Sequence, residues 1–376
     1  MTKKQPEYSG IGWALHNSDC IEGMHAMPEG SVDCAIFSPP FGDLFVFSDS
    51  ERDLGNAGTG EKFINQYRFF AEALTRVMRP GRIACVYCTD LPMRKGRDGA
   101  IGLQDFSGDL IRAHSAAGLI YHGRATIWKD PVVEMQRTKA LGLLYKQIRK
   151  DSAMNRVGMP DYMLFFRKDA VNERHIEHAA PTNRIVEIQH YHCSRCHVDH
   201  EYSSNFCPDC GESMIEIKSF KGEPSAEAMR ISREWLDQLT REGLCGGTPP
   251  DEVLAELIKG AEFSVDEWQA LASPVWMNIQ QGNVLRSFRK AKGANDEKHV
   301  CPLQLDTIKR CLRLYTRPGD VVMDPFNGIG STGYEALRAR RKYIGFELKR
   351  EYAEQANLNL QDAAAHGADM FAEVAA

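Results

Sequence analysis

The chain has 376 residues, 43% of them hydrophobic and 26% charged, with a formal net charge of −5 at pH 7. That length suits a full α/β domain plus a smaller one, at on the order of 100 to 200 residues per domain. No apolar run approaches the roughly 18 residues of a membrane span, and Met1-Thr2-Lys3-Lys4-Gln5-Pro6 has no apolar secretory stretch, so a cytoplasmic protein with no membrane partner is expected. The cytosol is reducing, so the eleven cysteines are expected as thiols or metal ligands.

In chain order, the first informative segment is the apolar run Asp33-Cys34-Ala35-Ile36-Phe37, read as a strand ending in Ser38-Pro39-Pro40-Phe41. Successive prolines fix φ and cannot donate, so this tip would hold the Ser38 hydroxyl and the Pro39 carbonyl rigidly, with Phe41 offering a ring face. Taken alone, it could equally be a strand-end loop with proline punctuation. Upstream, Asn17-Ser18-Asp19-Cys20 carries an aspartate of the kind often found as a cap or turn residue. Downstream, Met78-Arg79-Pro80-Gly81-Arg82 leads into a strand over Ile83–Tyr87. Cys85 and Cys88 have C-x-x-C spacing, but their apolar context and the lack of a second pair predict core positions.

From Arg124 to Lys168 basic residues outnumber acids, and Arg137, Lys139, Lys146, Arg149 and Lys150 are the candidate nucleic-acid contacts. A second cluster, Arg286, Arg289, Lys290 and Lys292, lies further on. A single charged run is usually a solvated face; two runs flanking one segment favour a cleft for double-stranded DNA. Between them stand Cys193-Ser194-Arg195-Cys196 and Cys207-Pro208-Asp209-Cys210. Two such knuckles supply four thiolates for a tetrahedral zinc, and the site is expected to be structural because a full thiolate shell leaves no open position for water. The signature of zinc-dependent base deaminases is absent. From Pro224 to Trp268 the apolar spacing, Ile231, Trp235, Leu236 and Leu239 among it, predicts helices.

Near the C-terminus the apolar run Val321-Val322-Met323 meets Asp324-Pro325-Phe326-Asn327-Gly328-Ile329-Gly330-Ser331-Thr332-Gly333. Gly328 and Gly330 remove Cβ atoms where backbone would pass close to a ligand, and a helix opening near Ser331 would aim free N–H groups at the same place. The G-x-G-x-x-G fingerprint of dinucleotide enzymes is missing. A second short strand, Tyr343-Ile344-Gly345-Phe346, ends in Glu347, a carboxylate suited to ribose hydroxyls.

The run from Asp324 to Thr332, followed by Gly345-Phe346-Glu347, closely resembles the S-adenosylmethionine site of class I methyltransferases acting on exocyclic amino groups of DNA bases. Ser38-Pro39-Pro40-Phe41 resembles their catalytic motif. With the catalytic motif first and the cofactor motif last, the order resembles the circularly permuted β-class, and His299-Val300-Cys301-Pro302-Leu303 resembles a further segment of it. The resemblance is weakest between Asp169 and Ser273.

The resemblance implies an α/β fold, a doubly wound class I methyltransferase sheet with circularly permuted motif order and an inserted target-recognition region containing the zinc ribbon. Its expected parts are a catalytic half at 1–127, the insertion at 128–289 with ribbon 190–213 and helical segment 224–272, a cofactor half at 290–360, and a flexible tail at 361–376. It further implies that Asp19 accepts from the cofactor's adenine amino group, with Cys20 beside it. Pro302 would line the methionine end and Asp324 would contact the methionine amino group. Phe326 would pack against the adenine or sulfonium side, Pro325, Gly328, Gly330, Ser331 and Thr332 would belong to the cofactor-binding turn, and Glu347 would hold the ribose. In that family serine at position 38 is associated with N4 of cytosine, with N6 of adenine as the alternative. A cognate restriction enzyme is an expected partner, and no residue specifies an oligomeric state. The rival reading is a zinc-ribbon nucleic-acid-binding protein without activity. Methylation at carbon 5 of cytosine would need a Pro-Cys motif, which does not occur.

Overall fold

The computed structural model describes residues 6–41, 61–93, 102–131, 158–172, 185–193, 198–200, 214–221, 226–242, 250–257, 265–285 and 302–372, with positions 96, 99, 176, 207, 210 and 247. The N-terminal elements are β1 (Tyr8–Gly10), β2 (Trp13–His16), α1 (Cys20–Ala26), β3 (Val32–Phe37), α2 (Glu61–Val77), β4 (Met78–Thr89), β5 (Leu91–Met93), β6 (Gly102–Gln104), α3 (Phe106–Ala116), β7 (Leu119–Ile127) and β8 (Asp161–Lys168). They are followed by β9 (Ile185–Cys193), β10 (Val198–His200), β11 (Met214–Lys221), α4 (Ala226–Arg241), α5 (Asp251–Leu257), α6 (Val265–Ala272) and β12 (Val275–Trp276). The C-terminal elements are α7 (Leu305–Tyr315), β13 (Val321–Asp324), α8 (Ser331–Arg338), β14 (Lys342–Phe346) and α9 (Arg350–Ala372).

The main sheet has nine strands in the order β1-β2-β14-β13-β3-β4-β8-β7-β12. From β2 to β4 every neighbour is parallel, whereas β8 runs antiparallel to both β4 and β7. A parallel strand deep in such a sheet must be apolar on both faces, and all six residues of β3 are buried, even Asp33. Alternate residues feed two cores. Cys34 and Ile36 pack with Cys85, Met163 and Phe165 under Ile308, Ala336 and Ala356 of α7, α8 and α9. Ala35 and Phe37 pack with Val86, Leu164 and Phe166 under Met24, Phe70 and Leu110 of α1, α2 and α3. The spacing of Phe63, Tyr67, Phe70, Leu74 and Val77 gives α2 its buried stripe.

A buried ion network locks β3, β4 and β13 at the end away from the Ser38 tip. Arg79 Nε lies 2.7 Å from Asp33 Oδ1, Val321 N–H donates to Asp33 Oδ2 at 2.9 Å, and Arg82 Nε donates to the Asp33 carbonyl at 3.0 Å. The Arg82 guanidinium also pairs with Asp320, whose carboxyl is pushed upward by burial against the opposing pull of Arg82.

The chain divides into two compact units, one of Met1–Ile176 with Leu271–Phe371 and one of Glu177–Ala270 with the last five residues, Ala372–Ala376. The second contains a three-stranded antiparallel sheet in the order β10-β9-β11, and α4 packs on α5 with Ile231, Leu236 and Leu254 buried. The expected insertion at 128–289 is therefore too wide. Strands β8 and β12 fall inside it yet are hydrogen-bonded into the main sheet. The expected flexible tail at 361–376 also differs, because α9 continues to Ala372 with Ala363 fully buried. No helix among the described residues is long and apolar enough to cross a membrane.

Removing one partner from a buried ion network leaves uncompensated charge. Asp33→Ala is expected to lower the unfolding free energy by about 3 to 5 kcal/mol, read from urea denaturation.

Candidate active site

Strand β13 ends in Asp324, and the chain turns through Gly328 (φ +52°) and Gly330 (φ +87°) before α8 begins. Both glycines occupy left-handed backbone, which L side chains avoid. A Cβ on Gly330 would lie 3.3 Å from that of Ala356, while one on Gly328 would meet nothing within 4 Å, so the turn is packed on one side and open on the other. Glu347 closes this turn. Its Oε2 accepts from Gly328 N–H at 2.7 Å and its Oε1 from Lys349 N–H at 2.8 Å. Asn17 Nδ2 fixes the backbone behind it, donating to the carbonyls of Glu347 at 2.8 Å and Leu348 at 3.1 Å.

Asp324 is buried, and burial pushes its carboxyl up to about 7 against hydrogen bonds from the Thr332 side chain and the Phe326 N–H. The Thr332 hydroxyl is shared with the Ile36 carbonyl, to which it donates at 3.2 Å, tying the first turn of α8 to β3. Because Val322 pairs with Cys34 and Met323 with Ala35, Asp324 comes level with Ile36, two residues before Ser38. Ser38 is half-buried at this edge, and Pro39 and Pro40 are buried. Ser331 is buried in the first turn of α8.

The rings of the two turns share one cluster. Phe41 lies 5.8 Å from Phe106 between ring centroids, and Phe326 lies 5.8 Å from Phe37 and 4.8 Å from Phe70. Phe326, expected against the adenine or sulfonium side of a cofactor, thus packs on the aromatic core beneath both turns. Asp19 is the N-cap of α1, its Oδ1 accepting from Ile21 N–H at 2.9 Å and Glu22 N–H at 3.0 Å. The adjoining Cys20 thiol is pushed well up by burial, with the charges of Asp19 and Glu347 adding to the effect. Pro302 is half-buried just before α7, and residues 299–301 lie outside the described residues.

Sequence reasoning missed a polar cluster on the neighbouring strands. Lys129 Nζ lies 2.8 Å from Asp161 Oδ1, with the two side chains 10% and 4% exposed, and the Tyr87 hydroxyl donates to Asp161 Oδ2. The alternation of apolar residues in β4 and β8 was the available signal; the antiparallel pairing that brings them together was not.

The candidate DNA contacts Arg137, Lys139, Lys146, Arg149 and Lys150 lie outside the described residues, as does Cys196. Cys193 ends β9, while Cys207 is buried and Cys210 half-buried in the connection from β10 to β11. Among the described residues no group of three or more His, Cys, Asp and Glu forms a metal site. Cys85 and Cys88 are core residues, fully buried.

The DNA methylase family (N6_N4_Mtase) matches residues 32–358. Type II methyltransferase M.XycI of Xanthomonas campestris pv. cyanopsidis is 32% identical over 114 residues, which are 29% of this chain and 36% of that protein. The chain spans less than half the length of the curated relatives it matches. TTHA0409 from Thermus thermophilus, solved in complex with S-adenosyl-L-methionine, aligns with a TM-score of 0.51 over 93% of both chains at 17% identity. The cytosine-N4-specific PvuII DNA methyltransferase aligns with a TM-score of 0.51 over 97% of this chain and 95% of its own at 14% identity. These likenesses show an α/β fold of the class I methyltransferase kind.

A carboxyl raised by burial favours the folded state while both states are protonated, and that contribution is lost as pH rises from the unfolded value through the folded one. Asp324→Asn removes the titration, so its gain in unfolding free energy is expected to grow between about pH 4 and 7 and level off on the order of 3 to 4 kcal/mol, measured by urea denaturation across that range.

Proposed function

Because the chain belongs to the DNA methylase family, we propose that it transfers a methyl group from S-adenosylmethionine to the exocyclic amino group of a base in double-stranded DNA, N4 of cytosine in preference to N6 of adenine. The observation that carries this reading is the junction of β13 with β3, which sets the glycine turn and the Ser38-Pro39-Pro40 tip at one edge of the sheet. The motif order is that of a circularly permuted β-class enzyme.

The residues present fit the cofactor. The open side of Gly328 leaves room for a ligand against the backbone. A carboxylate oxygen can accept from more than one donor, so Glu347 can hold the turn and a ribose hydroxyl together. Asp324 offers a carboxylate to an ammonium group, and Asp19, Cys20 and Pro302 are read as further cofactor contacts. When bound, the cofactor supplies an electrophilic methyl group whose bond to sulfur breaks as the base nitrogen forms its own, sulfur keeping the electron pair. The chain's part is to aim the nitrogen. An exocyclic amino nitrogen shares its lone pair with the ring, and acceptors at its hydrogens help to localise that pair. Ser38 and the Pro39 carbonyl are those acceptors, held by the prolines, and Phe41 borders the space for a base turned out of the duplex. Proximity and orientation then lower much of the barrier.

The segment between the two halves is read as the target-recognition region, with Arg137, Lys139, Lys146, Arg149 and Lys150 on the DNA backbone. A cognate restriction enzyme is the corresponding partner. A structural zinc is read in the second unit. Cys193 is paired with Val198 of β10 and with Met214 of β11, so the chain leaves and re-enters the sheet at the end of β9 where the cysteines cluster in sequence. Four thiolates there would hold zinc without an open position.

Two experiments test these readings. Purified protein incubated with labelled S-adenosylmethionine and duplex DNA should give N4-methylcytosine on nucleoside digestion and mass spectrometry, and Ser38→Ala should slow turnover roughly tenfold with cofactor affinity unchanged. N6-methyladenine would move the target and keep the mechanism; no transfer to DNA by protein that binds the cofactor would sink the reading. Metal analysis should find one zinc per chain, released in Cys207→Ser, and its absence from wild-type protein would remove the ribbon.

A further inference from the structure

The end of the sheet away from the Ser38 tip holds a cavity of about 240 Å³ that the proposed reaction does not use. Ile83, which pairs with Cys34 near the start of β3 and with Arg167 of β8, lies in its wall. Three other side chains bring hydrogen-bond donors to it. Met163 and Phe165 of β8 face the core under α7, and Arg167 continues that row beyond the core. His122 is the extra residue of a bulge in β7, between Tyr121, which pairs with Phe166, and Gly123, which pairs with Phe165. A bulge takes a side chain out of the strand's alternation, and here it carries the imidazole to the cavity. Tyr315, the last residue of α7, rests on Phe165 at 5.2 Å between ring centroids. Its hydroxyl has no hydrogen bond among the described residues, and burial pushes the phenol up, so it keeps its proton as a donor.

Positive charge is in surplus at this end of the sheet. Arg79 and Arg82 pair with Asp33, Arg82 also with Asp320, and Arg317 Nε lies 3.7 Å from Asp320 Oδ1. Three guanidinium groups thus share two carboxylates, one of which, Asp320, is pushed towards its protonated form by burial. Arg82 borders the cavity, and Arg167 adds a guanidinium with no ion pair among the described residues. Its Nη2 donates to the Ala170 carbonyl at 2.7 Å, while Asp169 Oδ1 accepts from Ala170 N–H at 2.8 Å. Ala170 is held at φ +116°, backbone that L side chains rarely adopt. The same turn closes one wall of the cavity, since a Cβ on Gly81 would lie 2.6 Å from that of Asn172. The Arg167 guanidinium is therefore anchored before any ligand arrives.

A guanidinium fork, a phenol and an imidazole, which keeps an N–H in either tautomer, open onto one cavity beside two isoleucines, Ile83 and Ile176. The three terminal oxygens of a phosphoryl group can engage all three donors, and its charge answers the local surplus. We propose that this cavity binds a small phosphate monoester, with its phosphoryl oxygens on Arg167, Tyr315 and His122 and its organic body against Ile83 and Ile176. The site is separate from the glycine turn and the Ser38 tip, which lie at the other end of the same strands.

The test uses the full chain and phenyl phosphate as the probe, titrated by calorimetry at constant ionic strength with and without S-adenosylmethionine. Saturable binding at one site is expected, with a dissociation constant on the order of 1 mM or tighter and no change when S-adenosylmethionine is added. Benzoate, with two oxygens, should bind more weakly, and phenol, with no charge, should not bind. Arg167→Gln should weaken phenyl phosphate binding by roughly tenfold or more, and Tyr315→Phe, which keeps the ring on Phe165, by a smaller factor. In both variants Tm should stay as in wild type. The proposal is overturned if binding shows no saturation by about 20 mM, if neither variant weakens it, or if benzoate or phenol binds as tightly. Displacement of the probe by S-adenosylmethionine would also overturn it, by placing the probe in the candidate active site.

Discussion

The parallel pairing of β13 with β3 is the constraint on which the site depends. These strands are separated by most of the chain, yet Val322 lies beside Cys34 and Met323 beside Ala35. Parallel strands send their following loops out at the same edge, so once this pair forms, the glycine turn and the proline tip must meet. Two side-chain bonds fix its register from opposite ends: Val321 N–H to Asp33 below and the Thr332 hydroxyl to the Ile36 carbonyl above. A one-residue slip would break both and turn Cys34 and Ile36 to the wrong core.

The edge is stiffened from beneath by rings. Phe326 of the glycine turn touches Phe37 and Phe70, and Phe41 of the proline tip touches Phe106, so both turns stand on one aromatic platform. His114 lies within it, tilted against Phe166 at 4.5 Å and 3.0 Å from the Tyr67 hydroxyl through Nε2. Burial lowers its pKa to about 3, so the platform carries no charge there at neutral pH. Close-packed interiors transmit displacement, and a shift in either turn would be felt by the other.

Local features of this site were legible in the sequence because each depends on a few adjacent residues. The apolar run into Ser38, the glycines in left-handed backbone and Glu347 at a strand end are of this kind. The motif did not reveal that the Glu347 carboxylate holds the glycine turn shut. What was not legible depends on pairing between distant segments. The apolar run of β8 reads as a strand, but nothing in it says that it lies antiparallel between β4 and β7, and so the insertion was drawn too wide and Asp161 was missed. The packing of Phe326 was not legible for the same reason, because its partners Phe37 and Phe70 belong to other elements.

The site is built at a cost to the empty fold. Gly330 occupies left-handed backbone that L side chains disfavour, and Asp324 sits where burial holds its carboxyl up to about 7. Near neutral pH the folded protein must either keep a proton on that carboxyl or bury a charge with too few partners, and both choices are worse than those open to the unfolded chain. A cationic group docking beside Asp324 changes this balance, since it favours the ionised form in place. Docking of such a group and folding are thereby linked, because a ligand that favours the ionised carboxylate binds the folded chain and not the unfolded one. Under the proposed function, the stability withheld at Asp324 would be returned as affinity when an ammonium group docks beside it, a return that an amide at this position could not give.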